Sequence, residues 1–202
     1  MDFSQREDRR IFSRQKNQIL SRKDNSSKGS IDAGIRDVVD MINSYPDYFT
    51  SSSCSGRIFL MEIAESGRKD ESEWVFVKHG EVSFDEIKKG MEGISDKNIW
   101  LKQEGMIIHV CCRDLDAACR MLDICHESGL KRAGIVTLGR KIMIEAFNTD
   151  RIETPVAEKG RIIVSDDYLR LLLVKANKKY EKNVEKIKKF SEKISLLLKK
   201  QD

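Results

Sequence analysis

Apolar residues recur at helical spacing in two long stretches of the chain. Four of them, three or four residues apart, predict a helix that Ser30 caps and that ends before Pro46: Ile31, Ile35, Val38 and Ile42. Apolar residues at the same spacing continue near the C-terminus and predict one long helix over 165–198. Capping sequences predict three further helices, over 4–22, 83–94 and 114–128.

Runs rich in β-branched and aromatic residues lie between these helices and predict strands. They occupy 57–63, 74–78, 99–102, 106–112, 133–138, 141–147 and 161–164. The run from Thr50 to Gly56 contains only small residues, which favours a loop. Since 74–94 and 106–128 each contain a strand, a loop and a helix in that order, we predict two related β-α-β modules.

These elements predict a chain of mixed helices and strands. We expect a mixed sheet built from the two β-α-β modules, packed with an N-terminal helical pair and one long C-terminal helix. The 12 glycines never occur as Gly-x-Gly, so the glycine loop of Rossmann methyltransferases is missing. The length of 202 residues predicts one domain over 1–202. Its predicted parts are N-terminal helices (1–45), an α/β core (50–164) and a long basic helix (165–200).

Composition excludes several classes of protein. No apolar run approaches the ~20 residues that a membrane-spanning helix needs, and the charged N-terminus has no signal-peptide stretch. The five cysteines form no Cys-x-x-Cys pair, so we expect free thiols, a cytoplasmic location and no metal centre.

Charge is unevenly distributed, although the net charge is only +4. Residues 1–30 carry eight basic and four acidic side chains, and residues 175–202 carry ten and four. Two basic ends around an acidic centre suit a polyanion such as RNA. Ordinary lysine-rich surface helices give the same distribution, and composition does not decide between the two interpretations.

Small residues followed by a basic side chain form the first candidate site. Hydroxyls and backbone N–H groups can converge on an anion, and Arg57 can hold a carboxylate or phosphate with two parallel hydrogen bonds. An ordinary loop has the same composition, and Cys54 suits a buried position better than a nucleophile. The site comprises Ser52, Ser53, Cys54, Ser55, Gly56 and Arg57.

Histidines supply the second candidate site. Strand alternation places His109 and Arg113 on one face, which suits proton transfer beside an anion. A structural histidine and a salt-bridged arginine would give the same pattern, and His79 at the end of its own strand raises the same alternatives. Lys28 and Ser30 precede a helix, where they form either a phosphate site or a plain capped loop.

Several motifs occur together in an order that is specific in combination. They are Lys28-Gly29-Ser30-Ile31-Asp32, Ser-Cys-Ser-Gly-Arg within 50–58, His-Val-Cys-Cys-Arg within 109–115, Gly134-Ile135, and Ala176-Asn177-Lys178-Lys179. Over nearly its whole length the chain resembles the wybutosine-synthesizing protein 3 family, and it looks like an archaeal single-domain member. Ala133 stands where a serine is common in that family, and Ser51 where a threonine is frequent.

The resemblance implies an α+β fold outside the Rossmann class, which agrees with the missing glycine loop. It also implies a methyltransferase that uses S-adenosylmethionine and modifies phenylalanine tRNA in wybutosine biosynthesis. The implied target is ring nitrogen N-4 of the wyosine-type base on the 3′ side of the anticodon. We assign proton transfer to His109 or His79, and cofactor binding to residues 52–57. Binding of tRNA or another anion is assigned to Lys28, Ser30, Arg113, Asn177, Lys178 and Lys179. The alternative is a non-catalytic tRNA- or RNA-binding protein with basic terminal helices.

Overall fold

Five helices and nine strands make up the part of the chain that the computed structural model describes, which is residues 3–21, 30–63, 72–94, 96–139 and 141–198. The helices are α1 (Phe3–Leu20), α2 (Ala33–Ser44), α3 (Phe84–Gly90), α4 (Leu115–Glu127) and α5 (Asp166–Leu198). The strands are β1 (Tyr48–Cys54), β2 (Arg57–Glu62), β3 (Glu73–Lys78), β4 (Ile99–Glu104), β5 (Ile107–Cys112), β6 (Gly134–Thr137), β7 (Ile142–Phe147), β8 (Ile152–Glu158) and β9 (Arg161–Ile162).

Local capping residues determine where two of the helices begin. The hydroxyl of Ser83 accepts a hydrogen bond from the Glu86 N–H, and the Glu86 carboxylate accepts one from the Ser83 N–H, so α3 begins with a complete capping box. Asp114 accepts a hydrogen bond from the Ala117 N–H at the start of α4. Both predicted helix starts are confirmed.

The start of α2 differs from its prediction. Asp32, and not Ser30, occupies the N-cap position, and its carboxylate makes no hydrogen bond to the first turn. Asp32 Oδ2 instead accepts a hydrogen bond from the backbone N–H of Ser55, at 3.0 Å. A contact between residues distant in sequence therefore replaces the local cap.

The strands form two sheets, and every strand pair in the described residues is antiparallel. The strand orders are β1-β5-β7-β6 and β3-β2-β4-β8-β9. The predicted α+β class is confirmed. The single mixed sheet of the prediction is replaced by two antiparallel sheets, because the two predicted modules lie in different sheets. In one sheet β3 and β4 flank β2, and in the other β5 and β6 flank β7. Short connections such as the one between β6 and β7 permit only antiparallel pairing.

Most of the segment that was predicted as a loop, 50–56, belongs to strand β1, and only Ser55 and Gly56 lie outside a strand. Strand β1 pairs with β5, and its register shifts by one residue between Thr50 and Ser52. Tyr48 and Phe49 at its start are fully buried, whereas Ser51 and Ser52 are exposed. The loop prediction is wrong because hydrogen bonds from β5 hold small polar residues in a strand that their own composition does not favour.

The chain divides into two units, each with its own sheet and core. The first unit contains residues 1–55, 106–148 and 185–202. One face of its sheet packs against α2, α4 and the end of α5, through buried side chains such as Val38, Met121 and Phe190. On the other face Phe12 of α1 contacts Phe49, with ring centroids 5.2 Å apart. Helix α1 thus covers part of the face that carries the odd-numbered residues of β5.

The second unit contains residues 56–105 and 149–184. Its sheet packs against α3 and the first part of α5, through side chains that include Leu60, Ile87 and Leu173. Among the described residues, no helix combines the length and the apolar character needed to cross a membrane. The prediction of one domain over 1–202 stays a prediction.

Candidate active site

A row of three hydrogen-bonded side chains crosses neighbouring strands of the first unit. Ser52 on β1 lies opposite His109 on β5, and His109 lies opposite Glu145 on β7. The Ser52 Oγ is 2.6 Å from His109 Nδ1, and His109 Nε2 is 2.8 Å from Glu145 Oε2. Directly opposed residues share one face of a sheet, so strand pairing alone brings the three side chains together.

Glu145 was not among the predicted site residues. It is the one charged residue of β7, whose sequence is Ile-Met-Ile-Glu-Ala-Phe. A carboxylate in an otherwise apolar strand is a signal that sequence analysis can detect, because carboxylates seldom lie in such strands without a partner. Its partner, however, becomes known only from the register of β5 and β7.

The end of β1 is anchored to the start of α2. Ser53 and Cys54 lie opposite Ile108 and Ile107. Ser55, which follows the strand, is buried, and its N–H donates to Asp32 Oδ2 while its hydroxyl lies 3.4 Å from the same oxygen. Asp32 therefore orients the predicted cofactor-binding segment, although its own role went unrecognised in the sequence.

Arg57 lies in the second unit, at the start of β2. Its guanidinium carbon is 4.3 Å from the ring centroid of Trp74 and 5.2 Å from that of Phe59. Its Nη2 is 3.4 Å from the carboxylate of Glu104, the residue opposite it on β4. The Arg57 Nε is buried and has no hydrogen-bond partner in the described ranges. Aromatic contacts therefore orient the guanidinium group of Arg57, while its Nε–H donates no hydrogen bond to the described residues.

Gly56 precedes Arg57 with a φ of +92°, a conformation that L-residues rarely adopt. A Cβ at this position would lie 2.8 Å from the Nδ2 of Asn183 and 2.8 Å from the carbonyl oxygen of Glu104. Gly56 belongs to the segment that was predicted to bind the cofactor. In the structure, the groups that approach its backbone are Asn183 and the end of β4.

The structure also places His79 and Arg113, two further predicted site residues. His79 follows β3 in the second unit and is half-buried, whereas His109 belongs to the first unit. Arg113 contacts the carboxylate of Asp47 and donates through Nε to Asp114 at 2.9 Å. Because it holds two carboxylates, Arg113 matches the salt-bridged alternative, and anion binding by this residue stays a prediction.

The remaining residues that were predicted to bind tRNA or another anion lie near the start of α2 and on α5. Asn177 exchanges two hydrogen bonds with the backbone of Val82, at 3.0 and 2.9 Å, which fixes α5 against the segment before α3. Lys178 is exposed, and Lys179 Nζ is 3.5 Å from the carboxylate of Asp150. Ser30 is exposed, and Lys28 lies outside the described residues. Their contacts with tRNA stay predictions.

A cavity of about 550 Å³ opens at the end of β5 in the first unit. Its walls carry charges of both signs, from Asp8 and Arg9 on α1 and from Lys141 before β7, and its floor includes Cys111. Burial raises the pKa of the Cys111 thiol. That thiol therefore stays protonated near neutral pH, which does not favour a nucleophilic role.

Residues 14–196 match the model of the family described as Methyltransferase TYW3. The chain belongs to this family. The match includes β1, β5 and β7, and therefore all three side chains of the row formed by Ser52, His109 and Glu145. The resemblance noted from the sequence motifs is thus confirmed.

Curated relatives of this TYW3 family member include archaeal and animal proteins. One is the tRNA(Phe) 7-((3-amino-3-carboxypropyl)-4-demethylwyosine(37)-N(4))-methyltransferase 1 of Pyrococcus abyssi, at 36% identity over 84% of this chain and 88% of the relative. Another is the tRNA wybutosine-synthesizing protein 3 homolog of Mus musculus, at 36% identity over 89% of this chain and 71% of the relative. The similarity is therefore spread over most of each protein.

The same fold occurs in solved structures of archaeal proteins. The PH1069 protein of Pyrococcus horikoshii superposes with a TM-score of 0.85 and 30% identity, covering 92% of this chain and 97% of that one. A hypothetical protein of Aeropyrum pernix gives a TM-score of 0.71 at 27% identity, over 82% of this chain and 98% of that one. The two antiparallel sheets of this TYW3 family member thus have counterparts in solved proteins.

Proposed function

We propose that this protein transfers a methyl group from S-adenosylmethionine to N-4 of a 4-demethylwyosine-type base in phenylalanine tRNA. The observation that carries the proposal is the family match over 14–196, which includes the hydrogen-bonded row centred on His109. The name of the Pyrococcus abyssi relative specifies this reaction for that relative. The basic ends of the chain suit a tRNA substrate, because phosphate contacts supply much of the affinity for nucleic acids.

The cofactor proposal depends on whether the residues present suit an anionic amino-acid group. Arg57 fits, since its buried Nε is unpartnered among the residues described and its Nη2 contacts Glu104 only at 3.4 Å. A guanidinium with unused donors can hold a carboxylate. The cofactor, when bound, supplies a methyl group on a sulfonium sulfur, which keeps the electron pair of the broken C–S bond. Arg57 would hold the carboxylate end of that molecule.

His109 is the residue that we propose as proton acceptor. Methylation of a ring N–H requires the nitrogen to lose its proton, and an imidazole is suited to accept one near neutral pH. The predicted alternative, His79, has the same chemistry. Substitution distinguishes the two histidines. If His109 is the proton acceptor, His109→Ala should lower kcat by roughly 10²–10⁴-fold, the range that general-base catalysis contributes. If His79→Ala gives that loss and His109→Ala does not, His79 is the base.

The decisive experiment is mass spectrometry of tRNA nucleosides. Purified protein is incubated with S-adenosylmethionine and with phenylalanine tRNA that carries the demethylated base, and the nucleosides are then analysed. We expect the tricyclic nucleoside to become one methylene unit heavier, at N-4. Omission of the cofactor is the control, and an unchanged nucleoside in the complete mixture contradicts the proposal.

The second candidate, a non-catalytic tRNA-binding protein, is distinguished by calorimetry. A methyltransferase should release or absorb heat on titration with S-adenosylmethionine in the absence of tRNA. A protein that only binds tRNA should give no such heat.

A further inference from the structure

The row formed by Ser52, His109 and Glu145 has a defined direction of hydrogen bonding. An ionised carboxylate can only accept hydrogen bonds, so His109 must donate to Glu145 from Nε2. A neutral imidazole carries one N–H, which leaves Nδ1 as an acceptor. For the neutral imidazole we therefore assign the Ser52 hydroxyl as the donor to Nδ1, across the 2.6 Å separation.

Both ring nitrogens of His109 are thus occupied. The imidazole cannot meet a substrate proton directly while these two hydrogen bonds are in place. Ser52 is the exposed member of the row, whereas the side chains of His109 and Glu145 are only 24% and 31% exposed. The hydroxyl oxygen of Ser52 still has a lone pair that can accept a proton from outside the row.

The sheet also leaves space beside the row. Gly134 on β6 lies opposite Glu145, so a side chain at this position would occupy the same face. A Cβ built on Gly134 would meet no described atom within 4 Å. The described residues therefore leave room for at least a small group on this part of the sheet face.

We propose that Ser52, His109 and Glu145 form a proton relay, in which Ser52 contacts the substrate and Glu145 is a positioning residue. The inference rests on the proposed function, because it specifies how the proton of N-4 leaves. That proton moves to the Ser52 oxygen while the original hydroxyl proton moves to His109 Nδ1. The N–H bond pair stays on the substrate nitrogen, and the hydroxyl keeps its neutral form. The positive charge ends on the imidazolium beside the Glu145 carboxylate, which stabilises it.

The first test measures the tautomer of His109 and does not depend on activity. The ring nitrogens of ¹⁵N-histidine-labelled full-length protein are observed by NMR at successively higher pH until their chemical shifts are those of a neutral imidazole. The His109 signals are assigned by their loss in His109→Gln. We expect the Nε2–H tautomer in the wild type and in Glu145→Gln, whose amide oxygen can still accept the hydrogen bond. In Glu145→Leu we expect a mixture of both tautomers.

The matched control is Glu153→Gln, which removes a carboxylate that pairs with Lys102 at 2.5 Å in the second unit. It should leave the His109 signals unchanged. The relay is contradicted if the wild type shows the Nδ1–H tautomer, or if Glu145→Leu leaves the tautomer unaltered. Either result would leave the proposed methyl transfer itself intact, so the two hypotheses fail separately.

The second test compares kcat with KM. Ser52→Ala and Glu145→Gln should each lower kcat by about tenfold or more, up to the ~10²–10⁴-fold that general-base catalysis contributes, with KM for tRNA nearly unchanged. Ser51→Ala is the control, because Ser51 is the extra residue at the register shift and lies beside Met143, at 3.6 Å. Normal kcat in Ser52→Ala would overturn the role of Ser52, and an increase in KM alone would assign it to binding.

Discussion

Substitution of Gly56 by alanine should destabilise the protein through two separate effects. Its φ of +92° lies in the left-handed region, and a Cβ would approach the carbonyl oxygen of Glu104 to 2.8 Å and the carbonyl carbon of Gly105 to 3.0 Å. Both neighbours are backbone atoms at the end of β4, where Glu104 pairs with Arg57. A flexible side chain could move away from the new methyl group, but a paired strand cannot.

The expected magnitude follows from these two effects. The left-handed conformation costs an L-residue about 1–2 kcal/mol, and overpacking of a tight site costs about 1–3 kcal/mol. Alanine also reduces the freedom of the unfolded chain, which offsets roughly 0.4–1 kcal/mol. We therefore expect the free energy of unfolding to fall by about 1–5 kcal/mol. For a protein of this size the melting temperature should fall by roughly 2–20 °C.

The assay is thermal and urea unfolding of the full-length protein. Gly129→Ala isolates the conformational effect, because Gly129 has a φ of +88° and a Cβ there would meet no described atom within 4 Å. Gly80→Ala controls for both effects, since its nearest described atom lies at 3.8 Å. If Gly56→Ala costs no more than Gly129→Ala, crowding by β4 plays no part. If it unfolds like the wild type, the whole argument is refuted.

Three further predictions concern charged side chains. Hydrogen bonds from Lys78 and from the Ser83 N–H lower the pKa of Glu86 to about 2, so its stabilisation is complete above its ordinary pKa and is lost as the pH falls toward 2. Glu86→Gln should therefore lower the melting temperature at neutral pH and lose that effect near pH ~2, and Glu92→Gln is the control for removal of an exposed carboxylate. Arg57→Lys should weaken binding of S-adenosylmethionine by about tenfold in calorimetry, because lysine lacks the planar guanidinium group, and the control Arg161→Lys should not weaken it. Equal affinities of Arg57→Lys and the wild type would contradict the proposed carboxylate contact. Replacing the exposed Lys178 and Lys182 by glutamine should reduce the slope of log tRNA affinity against log salt by about 1 per lysine, and the control Lys131→Gln should leave the slope unchanged. An unaltered slope in the double variant would show that these two lysines do not contact tRNA phosphates.

The elements that sequence analysis predicted correctly are those whose signals are local. The capping box at Ser83, the cap at Asp114 and the apolar spacing of α5 each involve residues within a few positions of one another. The strands predicted over 133–138 and 141–147 are also local, and they are confirmed as the antiparallel neighbours β6 and β7. Elements of this kind form wherever their own residues favour them, so a single sequence is sufficient to locate them.

The elements that were missed depend on distant partners. Strand β8 contains Pro155, which lowers its strand propensity, yet it pairs with β4 on one side and β9 on the other. Asp32 was predicted neither as an N-cap nor as a partner of Ser55, because the contact links residues 23 positions apart. Such contacts are fixed by the packing of the whole unit, which a local pattern does not encode.

The candidate site depends on a single irregularity in strand pairing. Phe49 lies opposite Cys111 and Thr50 opposite Val110, so uninterrupted pairing would place Ser51 opposite His109. The register shift after Thr50 adds one residue to β1 and brings Ser52 to that position. The sequence Thr-Ser-Ser-Ser-Cys offers no means of choosing among three consecutive serines. Histidine and glutamate were both visible in the sequence as polar residues in apolar strands, but only the shifted register identifies the hydroxyl that completes the row.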